Sequence, residues 1–390
     1  MTLRSAHLSV VAAAALLLSA LPSAALAASS APAPAAATVS TSRTASTLAD
    51  ALKRFRAVAP ADLAQRAERI LLDAGVNPLD LPVIDPDDYQ CGPTEFDAWE
   101  AENLDFTEEE GAFIEATMAP MFPVLEAVLL GDVEGTNSYG ATGAYTKQVT
   151  QAWKKLRVFW DEDSTEVELV PMHGRVLADA DRLGRLLVEM EIPQPDAREM
   201  AELMATVFDT APFDHGNHPF FSLNAFAMTG DMMGLPDTPD KIVMGDGILD
   251  VYGVLGMGAV APQVILAHEN VHHLQLDLGY YDDGIGTSPE ATRRTELMAD
   301  AGAAYSVSHP RGLSMQWNRI RHVLPVFYSI GDCGFDSSGH HGTPNQRLAA
   351  GRFGYDMQEQ ARPRGHVLPG ATFLARVDAH LPVLTAPDAR

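Results

Sequence analysis

Two neighbouring helices, and the need to pack one against the other, constrain this chain more than any other feature. The segment "VILAHENVHHLQLDLG", residues 264–279, repeats apolar side chains at Val264, Ala267, Val271, Leu274 and Leu278. Spacings of three and four put these residues on one helical stripe, and Gly279 is a natural C-terminal stop. After the loop "GYYDDGIGT", Ser288 is placed to cap a second helix and Pro289 to take its first turn. That helix reads "EATRRTELMADAGAAYS", residues 290–306. Its small residues Ala299, Ala301, Gly302 and Ala303 allow it to approach the first helix closely.

The polar residues on these helices carry the chemistry. His268 and His272 are four apart and share a helical face, able to hold one ion between them, while Glu269 lies beside them. His273 falls about 140° from His268, which suits a supporting or surface group better than a ligand. On the second helix Glu296 and Asp300 are again four apart. Two imidazoles and one carboxylate are a common catalytic Zn2+ set that leaves a position for water, and Asp300 would orient one imidazole. The competing reading is a buried histidine pair with Glu296 in a salt bridge to Arg293.

Other carboxylates are nearer to His272 in sequence but worse placed. Asp277 lies about 140° around the helix from His272, Asp282 and Asp283 sit in a glycine-containing loop, and Glu290 has sufficient reason to stand in a helix's first turn. A rival cluster, Asp214, His215 and His218 in "DHGNH", includes a glycine, precedes a strand-like stretch and reads as a loop. Further on, Thr343-Pro344 starts a last helix, and the loop before it places His341 where it could stabilise an oxyanion, with Tyr280, Tyr281 and Tyr305 as competitors.

The 390 residues, 46% hydrophobic, can bury a large core. Arg4, an apolar run from Leu8 to Ala20 that is too short to span a bilayer, and the small-x-small triplet Ala25-Leu26-Ala27 read as a cleaved signal peptide, residues 1–27. The expected location is therefore secreted or periplasmic, with no membrane insertion after cleavage and no other stretch apolar enough to span. Residues 28–45, rich in Ala, Ser, Pro and Thr, read as a disordered tether. Export permits the two cysteines, Cys91 and Cys333, to form a disulfide. A net charge of −25 argues against nucleic acid or an anionic membrane as partner.

Residues 46–150 read as mainly helical, with segments at 48–58, 61–75 and 109–131, and the Asp-rich 83–93 as a turn. Residues 151–390 form the second region. "LRVFW" and "EVELVPM" suggest a hairpin about 161–165, helices follow at about 175–190 and 196–208, and 219–228 and 241–252 look strand-like. This is an α+β order, with the sheet ahead of the motif helices.

His268-Glu269-x-x-His272 with "ELMAD" at 296–300 resembles the gluzincin metallopeptidases. Together with "NAFAM" at 224–228 and "IGDCGFDSSGHHGTPNQR" at 330–347, the wider pattern is similar to the bacterial putative neutral zinc metallopeptidases, over about residues 213–357. That family usually has glycine where Val271 stands. The resemblance implies a zincin-like peptidase domain, His268, His272 and Glu296 as zinc ligands, Glu269 as general base, residues 224–228 as a strand near the substrate, and a peptide or protein as that substrate. The alternative is a non-catalytic metal-binding or interaction protein on the same scaffold, which would have no use for Glu269.

Overall fold

The structure, a computed structural model, describes residues 41–72, 84–131, 137–162, 164–231, 237–281, 288–337, 339–361 and 365–388. The expected signal peptide and residues 28–40 of the expected tether lie outside the described residues. Residues 41–45 are not a tether. They open the first helix, α1 (Thr41–Val58), where no Pro or Gly separates them from the amphipathic run that follows.

The helices α2 (Leu63–Leu72), α3 (Glu95–Asn103), α4 (Glu108–Thr117) and α5 (Met121–Leu125) come next. The expected single helix over 109–131 is broken at Met118, which adopts φ +52°. Pro120, with no N–H to give, cannot continue the preceding turn. α5 widens into a π-helical turn, Glu126–Leu130, closed by Gly131 at φ +58°. By length and composition Glu108–Leu130 would pass for a membrane span, against expectation, but most of it is buried inside the fold.

The expected hairpin does not form. Leu156 instead ends helix α6 (Thr146–Leu156), whose Val149, Ala152, Trp153 and Leu156 share one buried face. Phe159 and Trp160 lie in the turn beyond it and meet edge to face at 4.9 Å, so the alternation in "LRVFW" comes from an aromatic turn. Only Glu168–Met172 is extended, as β1. Helices α7 (Ala180–Glu189) and α8 (Gln194–Phe208) are the expected pair, the first entered through a 3-10 turn at Gly174–Ala178 and capped by the Asp179 carboxylate.

Of the two strand-like stretches, only β2 (Ala225–Met228) and β3 (Lys241–Gly245) are strands. From Asp246 the chain is helix α9 (Asp246–Val254), because Ile248, Leu249 and Tyr252 fall on one helical face toward the core. Gly245 makes the change of direction possible, since a Cβ there would lie 2.1 Å from the Ser222 carbonyl oxygen.

The sheet has the order β1-β3-β2, with β1 parallel and β2 antiparallel to β3, and the fold is α+β with far more helix than strand. β3 is buried on both faces, which is why residues 242–244 read as a continuous apolar run. Val170, Met172, Phe226 and Val243 face a core made with Phe55, Phe113, Phe122, Leu183 and Phe208. The N-terminal helices thus share one core with the sheet.

The opposite sheet face, with Ala227, Ile242 and Met244, packs on α6 and on α10 (Ala261–Asp277). Behind it stand α11 (Pro289–Ser308), α12 (Trp317–Ser329), α13 (Pro344–Ala361), α14 (Gly370–Asp378) and the short α15 (Leu381–Leu384). α11 is enclosed by α10, α13 and α14 and is buried nearly all round, which its small residues permit. The expected disulfide, Cys91 to Cys333, ties the segment before α3 to the loop after α12.

Candidate metal centre

α10 and α11 end and begin as their sequences dictate. Gly279, at φ +73°, terminates α10, with Tyr280 N–H donating to the Gln275 carbonyl at 2.9 Å. Ser288 Oγ accepts the Ala291 N–H at 3.2 Å and Pro289 takes the first turn of α11. The two helices then meet at a close contact. A Cβ at Gly302 would lie 2.6 Å from Val271 Cγ2, so Gly302 makes the room that valine takes between the two histidines.

Gly302→Ala should therefore overpack this contact and destabilise the fold by about 1–3 kcal/mol. Combined with Val271→Ala, which removes the Cγ atoms, the loss should be smaller than the sum of the two single losses. Denaturant or thermal melts of the four proteins measure this, and strict additivity would mean that the two residues do not compete for space.

Across this interface the side chains converge. His268 Nε2 and His272 Nε2 are 2.9 Å apart, and each lies 3.2 Å from a Glu296 carboxylate oxygen. All three residues are buried, and together they form a group able to hold a metal ion. Ligand atoms around one tetrahedral ion with bonds near 2.0–2.1 Å stand about 3.3 Å from each other, so the spacing fits a single ion.

The outer ring nitrogens are also held. His268 Nδ1 faces Asp300 Oδ1 at 3.0 Å. His272 Nδ1 lies 2.8 Å from Gln275 Oε1 and 3.1 Å from the Tyr281 hydroxyl. The Gln275 amide nitrogen donates to the Thr295 carbonyl at 3.0 Å, which turns its oxygen toward the imidazole. Both rings are thereby fixed with Nε2 directed at the shared point.

Arg347, fully buried on α13, adds a feature that local sequence patterns gave no reason to expect. Its guanidinium grips Asp300 with two bonds, at 2.7 and 2.8 Å, and lies 3.3 Å from Glu296 Oε2. One buried cation thus stands beside two buried carboxylates, and Glu269 adds a third. A divalent ion would bring these charges to balance.

Titration follows from this crowding. Burial pulls His268 down, but Asp300 and Glu296 overcome it and hold the imidazole at about 10. Burial pushes Glu296 up, yet His272 and His268 outweigh it and keep the carboxyl well below its usual range. Glu269 has only partial compensation, and burial raises it despite the two histidines.

The cluster forms part of a cavity of about 460 Å³ that His268, Glu269, His272, Glu296 and Arg347 all line. Asn224 and β2 make one wall. β2 is an edge strand, paired with β3 on one side. His341 also lines the cavity, with Nδ1 and backbone N–H both 2.8 Å from Asp332 Oδ2. Burial raises Asp332, but hydrogen bonds from His340 and His341 bring it far below the ordinary carboxylate range. Tyr281 lines the cavity too, but its hydroxyl is engaged with His272 and Gln275. Tyr305 accepts the Leu368 N–H and stacks on Trp160, and neither it nor Tyr280 reaches the cavity wall.

The other candidates lie elsewhere. His273 lies neither at the surface nor in the His268, His272 and Glu296 cluster. It is buried between Asp240, 3.1 Å away, and Asp277, 3.2 Å away, and the two carboxylates overcome burial to hold it charged up to about 9. Glu290 pairs with Arg293 and Arg294, which leaves Glu296 free of Arg293. Asp282 and Asp283 lie outside the described residues. In "DHGNH", His215 pairs with Asp209 at the surface, His218 packs on Phe106, and Asp214 and His215 have positive φ, so the three do not converge.

Gln275, Tyr281, Asp332 and Arg347 were not singled out as supports by the sequence alone. Gln275 had a usable signal, since it stands three residues after His272 on the same helix. Compared with known proteins, the chain matches no protein-family model, no curated protein and no solved structure.

Proposed function

We propose that this chain is an exported zinc metallopeptidase with a zincin-like arrangement of α10, α11 and the sheet. The observation that carries the reading is the convergence of His268 Nε2, His272 Nε2 and the Glu296 carboxylate in one cavity with the carboxylate of Glu269. Two imidazoles and a single carboxylate suit zinc better than magnesium or calcium, which favour all-oxygen sites. When bound, the ion supplies a Lewis acid that polarises a carbonyl and lowers the pKa of water to about 7.

The chain's own residues do the rest. His268, His272 and Glu296 hold the metal, while Asp300, Gln275 and Tyr281 keep the imidazoles aimed. Glu269, raised by burial, takes the proton from the attacking water and returns it to the leaving amine. His341, oriented by Asp332, donates to the oxyanion as the carbonyl becomes tetrahedral. The edge strand β2 offers a backbone along which an extended peptide can lie. The acidic surface disfavours nucleic acid, and the disulfide suits an oxidising compartment.

The test is metal analysis of the purified protein together with hydrolysis of casein and peptide libraries. One zinc per chain and proteolysis abolished by a chelator and restored by zinc are expected. Stoichiometric zinc with no hydrolysis of any peptide would favour a non-catalytic metal-binding protein, and absence of metal uptake would remove the centre itself.

A further inference from the structure

Helix α3 brings two carboxylates to the wall of the cavity that the metal-ligating cluster occupies. Phe96, Asp97 and Glu100 all line it. The helix is firmly seated. Thr94 Oγ1 donates to the Ser329 carbonyl at 3.0 Å, the Phe96 ring lies 6.0 Å from that of Tyr252, and the disulfide anchors the chain just ahead. Asp97 is engaged in the capping box, where its carboxylate accepts the Thr94 N–H at 2.6 Å.

Glu100 has no such engagement. Among the described residues no ion pair or hydrogen bond takes its side chain, and burial, with the nearby charge of Asp97, pushes its carboxyl up to about 7. A half-buried carboxylate without a counter-charge is costly to keep in a wall otherwise built from groups such as Leu223, Phe226, Val264 and Leu276. The one guanidinium in the wall, Arg347, is taken by Asp300. Of the carboxylates in this wall, Asp97 is held in its capping box, Asp332 by His340 and His341, and Glu269 and Glu296 stand in the metal-ligating cluster, so Glu100 beside the apolar groups matches a side chain that has an apolar stem and a cationic head.

We infer that Glu100 selects substrates carrying a lysine or arginine side chain in this cavity. The stem lies along the apolar walls and the head reaches the carboxylate. This rests on the peptidase reading above and names its substrate class. It also gives α3 a role, as a substrate-selecting wall contributed by the N-terminal region.

The experiment uses the full mature protein and fluorogenic peptides that differ at one position, scanned across the cleaved bond, with lysine, norleucine or glutamate. Norleucine keeps the stem and drops the ammonium. At one position lysine should exceed norleucine in kcat/KM by about 10- to 100-fold, the range set by one charge-assisted hydrogen bond. Glu100→Gln should bring that ratio close to one, and Glu100→Lys should turn the preference toward glutamate. Metal content, measured in each variant, separates loss of selectivity from loss of fold.

Hydrolysis with no difference between lysine and norleucine at any position overturns the inference and leaves the peptidase reading intact. A lysine preference that survives in Glu100→Gln overturns it equally. If no peptide is cut, fluorescence anisotropy of the same peptides decides. A lysine preference in binding that Glu100→Gln abolishes supports Glu100 while the peptidase reading falls, and equal binding of lysine and norleucine peptides rejects both.

Discussion

Glu269→Gln is expected to keep its metal and lose at least about a hundredfold in peptide hydrolysis, because the amide preserves size and polarity but cannot accept the water proton. The surroundings of Glu269 make this substitution a clean one. Its carboxylate is buried, lines the cavity and is raised by burial, and among the described residues no arginine or lysine is bonded to it. A neutral amide should therefore be tolerated without the penalty that follows removal of one partner from a buried ion pair. Zinc content and kcat, measured side by side, carry the result. If the variant hydrolyses casein or a peptide library as fast as the unmodified protein, Glu269 is not the base.

Glu296→Ala is expected to abolish stoichiometric metal binding. Glu296 is the only carboxylate in the metal-ligating group, and both imidazoles lie 3.2 Å from its oxygens. Its removal leaves two histidines, too few to hold a catalytic zinc against competing chelators. Glu290→Ala should leave affinity almost unchanged, since that carboxylate is occupied by Arg293 and Arg294. Asp300 needs more care than its role in aiming His268 suggests. Alanine there would also strand the buried Arg347 guanidinium, so Asp300→Asn, which retains one acceptor, is the better probe and should weaken metal about 10- to 100-fold. Competition titration against a chromogenic chelator reads all three variants, and full occupancy in Glu296→Ala at limiting metal would exclude it as a ligand.

The candidate centre was legible because its ligands lie on helices, where spacing dictates direction. His268 and His272 had to share a face, and Glu296 with Asp300 had to share another. The errors fell on short elements. "LRVFW" looks strand-like yet is a helix end and an aromatic turn, since over a few residues a run of Val, Phe and Trp reads alike whether it pairs in a strand or covers a turn. The stretch 241–252 is mostly apolar, and its change from strand to helix at Asp246 depends on the close approach of Gly245 to the Ser222 carbonyl, a contact between residues far apart in the pattern.

The sequence by itself determined the helices α10 and α11, their stops and caps, the histidines and carboxylates on their facing sides that could hold a metal ion, and the acidic balance of the whole chain. These are set by bonds and spacings within one or two turns, and they need no partner to be read. Only the tertiary structure decided that Val271 fits because Gly302 faces it, that Arg347 joins Asp300 and Glu296, that Asp332 holds His341 at the cavity, and that α3 closes one wall with Glu100. Apart from Asp332 with His341, nine positions apart in one loop, these contacts join residues tens to hundreds of positions apart. Such contacts are chosen by the packing of the whole core and by the charges it must neutralise, and no local period in the sequence records them.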